Sequence, residues 1–297
     1  MGELDTVVLT KGVPDFREGQ VSFDENGHLE RGKTPTVMNP NDKHALRAAL
    51  QTRVRHGGTV SVMSMGPPGY KDVLREAMET VYADDLTLVS DREMAAADTW
   101  ATAITLASAI RKRGVPDLVF AGFKTADGET GHTGPQTCWC LDLPVVTHVI
   151  ALDVDADEET VRAKRLVEGD IEEVETVEVS LPAFIVTDPD FEPVYRTAAD
   201  RLELKTLRNE TRERAAALDE DDDAVTVWDH SDLNLDPDYI GLDGSPTIVS
   251  SVDPIPKAPA EREATMVDPA DSDAMQQVVE ELTPFATGPG AAEAGGD

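Results

Sequence analysis

Asp117-Leu118-Val119-Phe120-Ala121-Gly122-Phe123-Lys124-Thr125-Ala126-Asp127-Gly128-Glu129-Thr130-Gly131-His132-Thr133-Gly134-Pro135 runs from an apolar strand into a loop of glycine and small polar residues. Its first five residues, entered after Pro116, read as a strand buried on both faces, and Gly122 marks the strand's end. From Asp127 to Gly134 the glycines let the backbone approach a ligand, and the amides and hydroxyls suit phosphate oxygens. Thr133 reads as the cap of a helix from Pro135 to Leu141, whose positive end would then face a phosphate. An open α/β sheet holds a nucleotide in this way, although an ordinary connecting loop also fits the turn chemistry. The spacing is neither G-x-G-x-x-G nor a Walker A loop.

Outward from this stretch, strand and helix signals alternate. Thr6 to Thr10, Thr59 to Ser64, Leu86 to Val89, Val145 to Leu152 and Ala183 to Thr187 read as strands. Helices are expected from Pro40 to Arg55 with Asn39 as N-cap, from Tyr70 to Thr80, from Ala96 to Arg113 and from Asp200 to Leu218. Val21 to Phe23 and Leu29 suggest a hairpin excursion around Asn26-Gly27, and residues 161–181 alternate apolar and charged positions as hairpin strands with one wet face do. Repeated βα units predict a three-layer α/β/α, Rossmann-like fold with a mostly parallel sheet, a small β-hairpin addition and a ligand at the strands' carboxyl ends. Residues 1–200 form the expected nucleotide-binding domain. Residues 201–283 are an extended C-terminal arm with an acidic linker at 219–223, little regular pattern over 229–259 and a helix near 271–282, while 284–297 read as a disordered tail.

Composition narrows the function. Asp and Glu total 58 against 26 Lys and Arg, a net charge of −32, so the protein's own field opposes binding to nucleic acid or an anionic membrane surface. Acid spread along the whole chain points to a proteome adapted to high salt, where screening over about 3 Å at 1 M makes such self-repulsion tolerable. Cys138 and Cys140 are the only cysteines; no metal-spaced partners lie near, so they read as small buried hydrophobes in a reducing cytoplasm. Neither a membrane span nor a signal peptide is expected. His28, His44, His56, His132, His148 and His230 are scattered and form no nucleophile–base pattern, which suits a chain that positions cofactors.

Five separated segments carry a family resemblance: Lys11 to Asp15, Met38 to Asp42, Ser64 to Pro67, Ala126 to Pro135, and Ile240-Gly241-Leu242-Asp243-Gly244-Ser245-Pro246-Thr247. In this order the chain resembles the beta subunit of electron transfer flavoproteins, in the fixA-type form, over about residues 4–283. The resemblance implies an electron carrier rather than a stand-alone catalyst. It implies a heterodimer with a larger alpha subunit that carries a redox-active FAD, and a second adenine nucleotide, FAD or AMP, held by the beta subunit. Donors would be acyl-CoA or other flavin dehydrogenases, and the acceptor a quinone oxidoreductase.

By position, the resemblance implies a nucleotide pocket lined by Leu9, Lys11, Asn39, Pro40, Asn41, Asp42, Met65, Gly66, Ala121, Gly122, Asp127, Gly128, Glu129, Thr130, Gly131, His132, Thr133 and Gly134. Asn39 and Asp42 would either cap a helix or bond the nucleotide. Simple carriers hold AMP, whereas electron-bifurcating forms hold a second FAD beside a loop resembling Asp-Gly-Asp-Thr-Ala-Gln-Val-Gly-Pro. The loop here is closer to the second and departs from it at Glu129, Gly131, His132 and Thr133. Phe16 falls where the family offers an aromatic to the alpha subunit's flavin, or else fills the subunit interface. The dehydrogenase-docking loop corresponds to Phe191, Glu192 and Pro193, with Phe191 either an exposed anchor or packed on its own domain. The basic run that often follows is replaced by Asp200 to Lys205.

Two other function classes fit the sequence less well. A homodimeric ATP-binding sensor of the same fold gives no place to the arm or to Gly241–Thr247. A nicotinamide-dependent dehydrogenase would need G-x-G-x-x-G after its first strand, and this chain has none there.

Overall fold

A computed structural model describes residues 3–15, 35–167, 173–195, 197–218, 224–248, 268 and 271–286. The hairpin excursion near Asn26, Phe16, the acidic linker and residues 287–297 lie outside them, whereas residues 284–286, expected to begin a disordered tail, end a helix. The chain divides into two compact units, residues 1–252 and 253–297.

The first unit is built on one nine-stranded sheet. Its strands are β1 (Leu4–Thr10), β4 (Gly58–Met65), β5 (Asp85–Val89), β6 (Leu118–Gly122), β7 (Val145–Asp155), β8 (Thr160–Val167), β9 (Glu173–Ser180), β10 (Ala183–Thr187) and β11 (Val225–Trp228). Their spatial order is β11-β5-β4-β1-β6-β10-β7-β8-β9. Every pairing from β11 to β7 is parallel, and β8 and β9 add an antiparallel hairpin. A separate antiparallel ribbon joins β2 (Gly12–Pro14) to β3 (Thr36–Met38).

The helices are α1 (Asp42–His56), α2 (Lys71–Val81), α3 (Thr99–Arg113), α4 (Thr133–Leu141) and α5 (Ala198–Leu218). Strand alternation sorts the core into two faces. Val8, Val62, Phe120 and Ile185 pack with Leu46 of α1, Leu74 of α2 and Leu207 of α5. Val7, Met63, Val119 and Phe184 pack with Ile110 of α3 and Leu141 of α4. The three-layer α/β/α expectation is met.

Local chemistry sets the ends. The Asp98 side chain accepts from the N–H groups of Trp100 and Ala101 and so starts α3. Gly57, at φ 73°, stops α1. Two expected caps are corrected. Asn41, not Asn39, occupies the α1 cap position, because the Asn39 side chain is spent elsewhere. At α4 the helix already begins at Thr133, with His132 before it and no capping side chain. Strand β11 was not anticipated; it lies at the sheet edge beside β5, where half-exposed residues give little apolar signal. In the second unit, α6 (Ser272–Ala286) starts at Asp271, whose side chain accepts from the N–H groups of Asp273 and Ala274. Among the described residues, no helix is long and apolar enough to cross a membrane.

Candidate functional site

Chain order fixes where a ligand can enter. From β1 the chain steps to β4 and β5 by way of α1 and α2 on one face; α3 then returns it across β1 to β6 on the other face, and α4 carries it on to β7. The connections therefore diverge between β1 and β6, and in open α/β sheets of this kind the ligand crevice lies outside the carboxyl ends of the two strands at such a divide. Leu9 and Lys11 stand on one side of it, Ala121 and Gly122 on the other.

The residues there form one connected network. The Lys11 backbone N–H donates to Asp42 Oδ2 at 2.8 Å, and its ammonium reaches both carboxylate oxygens of Asp127 at 2.8 Å. Asn39 Nδ2 donates to Asp42 Oδ1 and to the Lys124 carbonyl, while its Oδ1 accepts from the Ala126 N–H. Asn41 Nδ2 donates to the same Lys124 carbonyl at 2.7 Å. The ribbon contributes as well, since the Asn39 N–H donates to the Lys11 carbonyl. The start of α1 is thus tied to the loop that leaves β6. A Cβ on Gly122 would sit 2.6 Å from both the Asn41 carbonyl carbon and Asp42 Oδ1, so only glycine permits this approach.

Charge in the network is finely set. Burial pushes the Asp42 carboxyl up to about 7, against the opposing hydrogen bonds from Asn39 and from the Lys11 N–H. Beyond Asp127 the chain turns outward. The Glu129 N–H donates to the Thr125 carbonyl, and Glu129 and Gly131 adopt left-handed φ values of 51° and 67°. Gly128, Glu129, Thr130 and His132 form an exposed rim leading to the α4 N-terminus. Thr133 and Gly134 open that helix with no capping side chain, which leaves their amides available to an anion.

Three polar atoms that the sequence reading passed over belong to elements meeting this crevice. Thr10 Oγ1, Ser64 Oγ and Gln136 Oε1 are buried without a hydrogen-bond partner. Thr10 and Ser64 are register partners at the ends of β1 and β4, and Gln136 lies in the first turn of α4. Buried polar groups are rarely left unpaired, so the register-paired Thr10 and Ser64 hydroxyls mark a place where hydrogen bonds are still to be made. A single polar residue ending an apolar run, as in Val7-Val8-Leu9-Thr10 or Val62-Met63-Ser64, is the available signal. These atoms, the α4 amides and the Lys11 cation fit a nucleotide phosphate and its attached polar groups.

Other expected site residues fall outside the network. Met65 and Gly66 lie one strand further out, where Gly66 packs under the Tyr70 ring, and Pro40 is exposed on the turn before α1. Phe191 as an exposed docking anchor is corrected: it is 1% exposed, inside the core face that contains α1. The turn at Asp188 folds it inward, with its N–H donating to the Asp188 carbonyl and its own carbonyl 3.3 Å from His44 Nδ1. Glu192 and Val194 carry the exposed surface of that loop, and Pro193 is half-buried. Cys138 is buried and unbridged, and burial pushes its thiol up to about 11.

Comparison with known proteins places these features. Residues 27–220 match the electron transfer flavoprotein domain. The chain is 39% identical over 269 residues to Protein FixA of Azorhizobium caulinodans, covering 88% of each chain. It is 34% identical over 245 residues to the caffeyl-CoA reductase-Etf complex subunit CarD of Acetobacterium woodii, covering 82% of this chain and 85% of that one. It is 35% identical over 246 residues to the electron transfer flavoprotein subunit beta of Clostridium acetobutylicum, covering 83% and 86% respectively.

Proposed function

This chain belongs to the electron transfer flavoprotein family, and from that premise we propose that it is the beta-type half of a heterodimeric electron carrier. Its alpha partner holds the flavin that exchanges electrons, and this chain holds a second adenine nucleotide in the β1–β6 crevice. The observation that carries this reading is the network joining Lys11, Asn39, Asp42 and Asp127 across the switch point, next to unpaired Thr10 and Ser64 hydroxyls. On this reading the subunit positions a cofactor and leaves the redox chemistry to it.

Electrons enter from acyl-CoA or other flavin dehydrogenases and leave to a quinone oxidoreductase. The loop at Glu192–Val194 is the proposed contact for the donor, and residues 201–283 the proposed contact for the alpha subunit. The nucleotide in the crevice is proposed to be FAD. The glycine loop at Asp127–Pro135 supports this, as does similarity to relatives named FixA and CarD. A second flavin makes electron bifurcation the variant of this function to test. The direct test is rapid mixing of the reconstituted heterodimer with a reduced flavin dehydrogenase. Flavin bleaching followed by reoxidation with a quinone acceptor is expected, and a heterodimer that is never reduced would overturn the reading.

A further inference from the structure

His44, Gln51 and Arg55 recur on α1 at i, i+7 and i+11, so they form one stripe along that helix. All three reach the loop that follows β10. His44 Nδ1 is 3.3 Å from the Phe191 carbonyl oxygen, Gln51 Oε1 accepts from the Val194 N–H at 2.6 Å, and an Arg55 guanidinium N–H donates to the Val194 carbonyl. Both backbone polar groups of Val194 are therefore taken by side chains of a single helix.

Each clamp is itself braced against β7. Gln51 is 2% exposed, and its Nε2 donates to the Leu152 carbonyl at 3.1 Å, so both ends of the amide are engaged and its orientation is fixed. Arg55 also donates to Asp153 Oδ1 at 3.1 Å. On either side of Val194 the chain is anchored in the core, where Phe191 is buried and Tyr195 packs. Val194 itself stays 44% exposed between these anchors, with Asp190 and Glu192 exposed beside it in the sequence. A surface loop can satisfy its backbone in water. Holding it with a buried amide is useful where an apolar side chain has to stand in one place, because the ordering cost is then met before a partner binds.

We infer that Gln51 and Arg55 are positioning residues for electron-donor docking, holding Val194 as a fixed apolar anchor for a donor surface with an apolar centre and a basic rim. Asp190 and Glu192 supply the charge that such a rim meets. The inference rests on the reading that residues 192–194 contact the donor, and adds the helix that sets their geometry.

The test uses the full chain in complex with its alpha partner. The complex is mixed in stopped flow with increasing concentrations of an acyl-CoA dehydrogenase reduced by its substrate, which yields a half-saturating donor concentration and a limiting rate of flavin reduction. Dithionite reduces the same flavin without docking and is the control. Gln51→Met keeps the side-chain length and removes both hydrogen bonds, Arg55→Met removes the second clamp, and Arg55→Lys keeps a donor for the Val194 carbonyl. The half-saturating concentration should rise about tenfold in each Met variant, as for loss of an interface anchor, while the limiting rate and the dithionite rate stay at the wild-type value. Arg55→Lys should recover most of the loss. Combined with Val194→Asp, Gln51→Met should add nothing further, because an anchor already lost cannot be misplaced.

Wild-type half-saturation in both Met variants overturns the positioning role. So does a further rise in the double variant, or slowed dithionite reduction, since either marks a general structural effect. Should Gln51→Met fail to assemble, the contrast between Arg55→Met and Arg55→Lys decides alone. Wild-type half-saturation in Val194→Asp overturns the docking reading beneath the inference, an outcome distinct from the others.

Discussion

Lys11 Nζ lies 2.8 Å from both carboxylate oxygens of Asp127, so an ion pair between residues 116 positions apart spans the divide between β1 and β6. The Asp127 side chain is 9% exposed and that of Lys11 35%. Of the two, the carboxylate therefore loses more if left alone.

Lys11→Met should lower nucleotide affinity about tenfold, the loss expected for one charge-assisted contact to phosphate, and should also lower global stability by about 1–3 kcal/mol because the largely buried Asp127 carboxylate loses its cation. Titration of nucleotide into the stripped complex, alongside a thermal melt, separates the two effects. Unchanged affinity would remove Lys11 from the site.

Asp42 should leave a signature in the pH dependence of stability. Its folded value of about 7 lies above the roughly 3.9 of an unfolded aspartate. The folded chain holds that proton more tightly, so this group's contribution to stability falls as pH rises from about 4 to 7 and is constant above. Asp42→Asn cannot ionise. The stability of wild type relative to this variant should therefore decline across that window by up to about 4 kcal/mol, at 1.36 kcal/mol per unit. Denaturant melts at a series of pH values read it directly, and a pH-independent difference would contradict it.

Gly122→Ala introduces a Cβ that meets the backbone and the Asp42 carboxylate at the start of α1, at 2.6 Å. The expected result is a loss of about 1–3 kcal/mol, typical of overpacking, together with weaker nucleotide retention because α1 and β6 are forced apart. Wild-type melting and binding would show that the approach is not tight.

Phe191 and Val194 should behave oppositely. Phe191→Ala removes a core ring and is expected to cost about 3–5 kcal/mol of stability. Val194, 44% exposed on the same loop, is expected to tolerate Asp with little change in melting while dehydrogenase binding weakens. Surface plasmon resonance against a flavin dehydrogenase measures the second effect, and equal binding by Val194→Asp would move the docking site elsewhere.

The fold was legible where residue chemistry is local and unambiguous. The run from Asp117 to Gly122 is apolar enough to be a buried strand, and Gly57 and Gly114 stop the helices before them. Signals that depend on the third dimension were less legible. Asn39 has the composition of a cap, but the β2–β3 ribbon brings it to the loop after β6, where three hydrogen bonds claim its amide. Phe191 looks the same in sequence whether its turn points out or in, and the bonds at Asp188 and His44 decide for the core. Thr10 and Ser64 read as ordinary strand residues until the β1–β4 register pairs them at the crevice. Val225 to Trp228 forms a strand only because β5 offers it an edge.

The most direct test of the account is the nucleotide content of the purified heterodimer, coexpressed with its alpha partner in high salt and denatured to release bound FAD and AMP. Two FAD and no AMP per heterodimer are the expected result. A single FAD with no adenine nucleotide attributable to this chain would contradict the crevice, and a single FAD plus one AMP would contradict the second flavin.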